Sequence, residues 1–164
     1  MTKSNGKDDR RQYARFAVVE GMVEPITVNF DRAAESRAKA AHPAPSPKNQ
    51  PGILTNLSAG GLSLILFMEP PKTKTIEMVL TIPGLSRVAI EGKVVRVSEK
   101  GQTYNVGIFF TKISKKHRVQ IDAMAQDHMD CETRLSLKLP EACVSECRFH
   151  ALCAKPQKAP YWTK

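Results

Sequence analysis

From Gly52 to Phe110 the apolar positions recur at every second residue, in short runs. Leu62, Leu64 and Leu66 alternate with Ser63, Ile65 and Phe67. Ile76, Met78, Leu80 and Ile82 alternate with Glu77, Val79 and Thr81. Val88, Ile90 and Val94 share a face across Gly92, and Tyr104, Val106, Ile108 and Phe110 lie opposite Asn105, Gly107 and Phe109. Side chains change face at each step along a strand, so this period predicts strands with one buried face. Glu69-Pro70-Pro71, Pro83-Gly84 and Lys100-Gly101 separate the runs as turns. Upstream, the apolar and β-branched run from Phe16 to Val23 predicts a first strand bent at Gly21, with Ile26-Thr27-Val28 continuing it past Pro25. The fold class predicted is mainly β, a small antiparallel barrel.

The period then changes. Ser114 is placed to cap a helix, and His117, Ile121, Met124 and His128 follow at i, i+4, i+7 and i+11. They predict one helix that lies on the barrel or closes an end of it. Beyond it Leu135, Leu137 and Leu139 alternate like a strand, and Pro140 suits the first position of another helix. On a helix over 140–153, Cys143, Cys147 and His150 would share a stripe with Cys153 close to it. Residues 1–9 read as a flexible polar tail, and 32–51, rich in Ala, Pro and charge, as an exposed insertion with a short helical turn at most. The expected organisation is a tail over 1–9, a domain over 10–129 carrying that insertion, and a cysteine-containing extension over 130–164.

Composition narrows the function. A chain of 164 residues with 41% hydrophobic positions has room for one core and an appendage. The formal charge of +9 favours anionic partners, but the excess is spread thinly, and Arg10, Arg11 and Arg15 form the one tight cluster. Aromatic residues are 6% of the chain and form no ladder along the strands, which argues against a nucleic-acid barrel that works by base stacking. No apolar run approaches the roughly 20 residues of a membrane span, and the N-terminus has no apolar signal segment. A cytoplasmic location is expected, where the four cysteines would stay reduced. Neither a nucleophile–base pair nor a phosphate-cradling loop of Walker type is apparent, so no enzyme is expected.

Two short motifs bracket the first strand. Arg11-Gln12-Tyr13-Ala14-Arg15 precedes it, and Asn56-Leu57-Ser58-Ala59-Gly60-Gly61 leads into a later strand. Guanidinium is planar, always charged and bidentate, so two of them four residues apart can grip phosphate, read a guanine edge or stack on a base. Asn56 and Ser58 fall on one side of an extended strand, where both can hydrogen-bond a base or phosphate. The glycine permits close approach of backbone to ligand or a tight turn.

Each motif is common alone, but their order is specific. Arginines, strand, N-x-S-x-x-G, three more strands and a helix together resemble the PilZ domain over about residues 10–125. The stretches GKVVRV at 92–97 and YNVGIFF at 104–110 resemble PilZ strands as well. The resemblance implies a six-stranded barrel with a C-terminal helix and cyclic di-GMP as ligand, held between arm and barrel. Arg11 and Arg15 would contact guanines and phosphates, with Arg10 auxiliary. Asn56 and Ser58 would contact base or phosphate, and Gly61 would shape the loop. It also implies a protein partner in motility, exopolysaccharide or regulatory machinery. Because the arginines adjoin a polar tail, the arm is expected to be loose until ligand draws it onto the barrel. The 41 positions from Arg15 to Asn56 exceed the family's usual spacing, and the surplus falls in the Ala/Pro-rich stretch. The alternatives are a ligand-independent interaction module and a small basic nucleic-acid-binding barrel.

Cys131, Cys143, Cys147 and Cys153 lie outside that resemblance. Soft thiolates at such spacing suit zinc or an iron–sulfur cluster, although the chain has no C-x-x-C knuckle. The alternative is that they pack as small buried hydrophobes.

Overall fold

A computed structural model describes residues 12–17, 26–30, 49–72 and 74–160. The polar tail, Arg10 and Arg11, the middle of the expected first strand and most of the insertion lie outside the described residues. Seven strands form one antiparallel sheet: β1 (Arg15–Ala17), β2 (Ile26–Phe30), β3 (Asn49–Ser58), β4 (Gly61–Leu66), β5 (Thr75–Ile82), β6 (Ser86–Lys100) and β7 (Thr103–Ile113). Pairing runs β3–β2–β5–β6–β7–β4 and returns to β3, so six strands close into a barrel. The short β1 is extra. It pairs with the end of β3 (Arg15↔Ser58 to Ala17↔Asn56), while β2 pairs with its start (Ile26↔Gly52 to Asn29↔Asn49). The two apolar pieces of the expected first strand thus share one edge of β3. That strand begins at Asn49, inside the stretch expected to be insertion.

Closure gives every alternating strand an inside. Val28, Leu80 and Val88 line up across β2, β5 and β6, and none has any exposed surface. Leu54, Leu57, Leu64, Val106 and Ile108 belong to the same core. The alternation read in the sequence is the inward set of these strands.

Helix α1 (Lys115–Ser136) begins as expected, with Ser114 Oγ accepting from the His117 backbone N–H at 3.1 Å. Ile121, Met124 and Ala125 are its buried face and join the barrel core. The strand expected from Leu135, Leu137 and Leu139 does not form. The helix continues to Ser136 and ends in a Schellman turn: Lys138, at φ 53°, donates to the Leu135 carbonyl and Leu139 to that of Arg134, each at 3.0 Å. Glycine ordinarily marks such an end, and a lysine here hides it. Leu137 and Leu139 are left exposed.

The helix expected over 140–153 is also absent. Residues 137–160 are turns and irregular chain, with a single 3-10 turn at His150–Leu152. Pro140 opens no helix, and Cys143, Cys147 and His150 share no helical stripe. Nor is this extension a separate appendage. Phe149 and Leu152 are buried in the barrel's own core cluster, and Phe149 meets the His128 ring edge-on at 4.7 Å. Arg148 grips Asp127 of α1 at 2.7 and 2.9 Å while its backbone N–H donates to the same carboxylate at 2.6 Å.

Leu80→Ala should lower unfolding free energy by about 2–5 kcal/mol, because a closed barrel cannot collapse onto the void. Leu137→Ala, at a side chain 65% exposed, should change it by no more than about 0.5 kcal/mol. Urea unfolding followed by circular dichroism checks both, and equal losses would contradict the closed interior.

Candidate functional site

An open cleft of about 220 Å³ lies on the barrel's outer face, where the start of β1, the end of β3 and the start of β4 meet the middles of β6 and β7. Arg15, Asn56, Gly60, Gly61, Val95 and Phe109 are among its walls. Two bulges aim them. Between Leu54↔Leu64 and Asn56↔Ser63 the pairing of β3 with β4 slips by one, leaving Thr55 as the extra residue. Without it Asn56 would follow Leu54 inward. With it, Leu57 takes the inward position and Asn56 turns out. Thr55 Oγ1 donates to the Ser63 carbonyl at 3.1 Å, which secures the bulge. In β6 the pairing slips between Val94 and Arg96, so Val95 turns outward at 67% exposure.

Ala59 and Gly60 make the tight turn from β3 to β4. Ser58 is buried and its hydroxyl donates to the Gly61 carbonyl at 3.0 Å, bracing that turn; it does not line the cleft. Gly61 is a close-approach residue, since a Cβ there would overlap the Ile108 carbonyl oxygen of β7. Gly60 supports the arm. A Cβ on it would stand 2.7 Å from Tyr13 Cδ2, so the tyrosine ring lies directly over the turn. The Arg118 guanidinium of α1 stands 6.0 Å from the centre of that ring.

The structure therefore brings Arg15, Asn56 and Gly61 to one cleft and places Ser58 behind it. Arg10 and Arg11 lie outside the described residues. Within those residues the arm is tied more closely than expected: Arg15 pairs with Ser58, and Tyr13 rests between Gly60 and α1. Reading the sequence missed Tyr13, Val95 and Phe109. Their signals were doublets: Val94-Val95 and Phe109-Phe110 each set an apolar residue on the outer face, where strand alternation expects a polar one.

All four cysteines are free, and among the described residues no three His, Cys, Asp or Glu side chains stand close enough together to hold a metal ion. No helix among those residues is long and apolar enough to cross a membrane.

The sequence profile of the PilZ domain matches residues 9–127, and the chain belongs to that family. PilZ domains are not enzymes, which bears out the expectation of a non-catalytic protein. Among solved structures, the fold is similar to the PilZ domain of YcgR from Escherichia coli with c-di-GMP, at 16% identity and a TM-score of 0.52, covering 79% of this chain and 98% of that one. It is also similar to YcgR from E. coli in complex with c-di-GMP, at 17% identity and a TM-score of 0.51, covering 79% of this chain and 50% of that one. The Bacillus subtilis inhibitor of motility MotI/DgrA aligns at 14% identity with a TM-score of 0.51, over 80% of this chain and 54% of that one. The chain thus spans about half the length of the latter two proteins. No curated protein matches it significantly in sequence.

If Tyr13 holds the arm in register, Tyr13→Ala should increase hydrogen exchange across residues 12–17 and leave the β5–β6 hairpin unchanged. Tyr13→Phe should behave as the parent does, because the contact is made by the ring. Exchange unaffected by Tyr13→Ala would show that the arm is held by β1 alone.

Proposed function

We propose that the chain is a cyclic di-GMP receptor that relays occupancy of its cleft to a protein partner. The observation that carries this reading is the convergence of Arg15, Asn56 and Gly61 on one outward cleft. These are motif positions, and Arg15 and Asn56 lie 41 positions apart in the chain. A guanidinium beside an amide suits a ligand that carries both phosphates and guanine edges. Val95 and Phe109, exposed on the opposite wall, offer flat apolar surface to a purine. The c-di-GMP named with the E. coli YcgR structures supports this ligand class for the same fold.

The cleft's size bears on mechanism. At about 220 Å³ it is smaller than the roughly 300–1,000 Å³ of pockets that enclose a ligand. A cyclic dinucleotide seated there would stand proud of the barrel, and the arginines that precede Gln12 in sequence, Arg10 and Arg11, are the groups with which the chain would cover it. Binding would then draw the arm over the ligand and create a composite surface of arm, nucleotide and barrel. A partner in motility, exopolysaccharide or regulatory machinery would read that surface in the cytoplasm. Ser58 would act through the turn, by fixing Gly61, rather than by touching the ligand.

Calorimetric titration should give much tighter binding of cyclic di-GMP than of GTP or cyclic di-AMP. Arg15→Ala should weaken it by about tenfold or more, the equivalent of roughly 1.5–3 kcal/mol for a charge-assisted contact. Lys72→Ala, in no motif and far out in solvent, should leave it unchanged. Similar affinity for all three nucleotides would reduce the site to generic phosphate attraction. Hydrogen exchange across residues 8–18 should slow at saturating ligand, and unchanged exchange there would remove the arm from the mechanism.

A further inference from the structure

Four cysteines fall within residues 131–153, and none occurs in the 130 residues before them. In three dimensions all four line one small cavity between the end of α1 and the irregular segment that follows. Cys131 comes from the helix; Cys143, Cys147 and Cys153 come from that segment. Such convergence is not what packing requires, since the extension already buries Phe149 and Leu152 in the core.

The surroundings of the sulfurs separate two readings. Cysteines acting as small hydrophobes would be met by apolar groups. Here Cys147 and Cys153 do pack against the barrel core, but Cys143 is met by a polar hydrogen. The Ala159 backbone N–H donates to Cys143 Sγ at 3.3 Å. Arg134 and Lys155 both line the cavity, and no carboxylate does. Lys155 is itself largely buried, and the paired Glu132 carboxylate at 2.5 Å faces it from α1. Four sulfurs on one cavity wall, with an N–H donor at Cys143 and Arg134 and Lys155 alongside, are the donor set of a thiolate metal site.

We propose that Cys131, Cys143, Cys147 and Cys153 form a four-thiolate site for a thiophilic metal, either a zinc ion or an iron–sulfur cluster. In the present arrangement the sulfurs do not stand at the spacing of a single coordinated ion. The segment that carries three of them has only one 3-10 turn of regular structure, so coordination can shift them relative to Cys131 on the helix. Metal loading displaces the thiol protons. The bound metal would fasten a stretch of about two dozen residues that has little regular structure of its own.

The test uses the full chain, purified without oxygen or chelator and assayed for zinc, iron and acid-labile sulfide. About one zinc per chain with no sulfide, or iron with matching sulfide and absorbance near the visible–ultraviolet boundary, is the expected result, and the two outcomes distinguish the occupants. Cys131→Ser and Cys147→Ser should each reduce the metal to background. To separate this from misfolding, the parent chain is stripped with chelator and then reloaded. Removal should speed hydrogen exchange across 137–160, and reloading should restore it, while β4–β7 stays protected throughout. Absence of zinc and iron from the parent chain, before and after anaerobic reconstitution, would overturn the proposal. So would metal retained at full level when all four cysteines are replaced by serine.

Discussion

The cleft depends on one extra residue, Thr55. A barrel strand has two faces and a period of two, so Leu54 and Leu57 cannot both point inward unless the count slips between them. The bulge supplies that slip and Thr55 Oγ1 holds it. Asn56 is turned out as a consequence, beside the β1 strand that carries Arg15. The bulge in β6 does the same for Val95 on the other wall. The slip in β3 also preserves the core, because it keeps Leu57 buried. In β3, packing and presentation are thus solved by the same irregularity.

The N-x-S-x-x-G motif divides its labour along the same lines. Asn56 faces the cleft. Ser58 is buried and braces the turn through the Gly61 carbonyl, and Gly61 has no side chain because β7 approaches too closely. Gly60, not part of the motif, makes room for Tyr13. The arm is thereby connected to the turn and, through Arg118, to α1. The helix whose buried face joins the barrel core thus also touches the arm.

Beyond the helix, residues 137–160 keep one 3-10 turn of regular structure yet are held at several points. Arg148 is clamped by Asp127, Lys155 by Glu132, and the Arg134 guanidinium donates to the Ala142 carbonyl at 3.0 Å. Most of these pairs are partly exposed, and exposed pairs are individually weak. Phe149 and Leu152, sealed into the barrel core, contribute more. The four sulfurs converge beside these anchors, on a cavity separate from the Arg15–Asn56 cleft.

Local pattern was enough to establish the strands from Leu62 to Phe110, the Ser114 cap with its helix, and the order of the two motifs, because burial on one face imposes a period that is written residue by residue. Composition likewise bore on what the chain is not. The end of α1 was illegible because Lys138 takes a left-handed conformation that glycine usually advertises. The cysteine stripe on a second helix was misread for a related reason: Pro140 permits a helix start, but nothing local requires the helix to form, and the long-range burial of Phe149 and Leu152 won. Whether Ser58 faces ligand or turn, that Thr55 is a bulge, and that Tyr13, Val95 and Phe109 border the cleft were decided only by tertiary structure. Each depends on which strand lies opposite, a relation between residues far apart in the chain that no local period encodes.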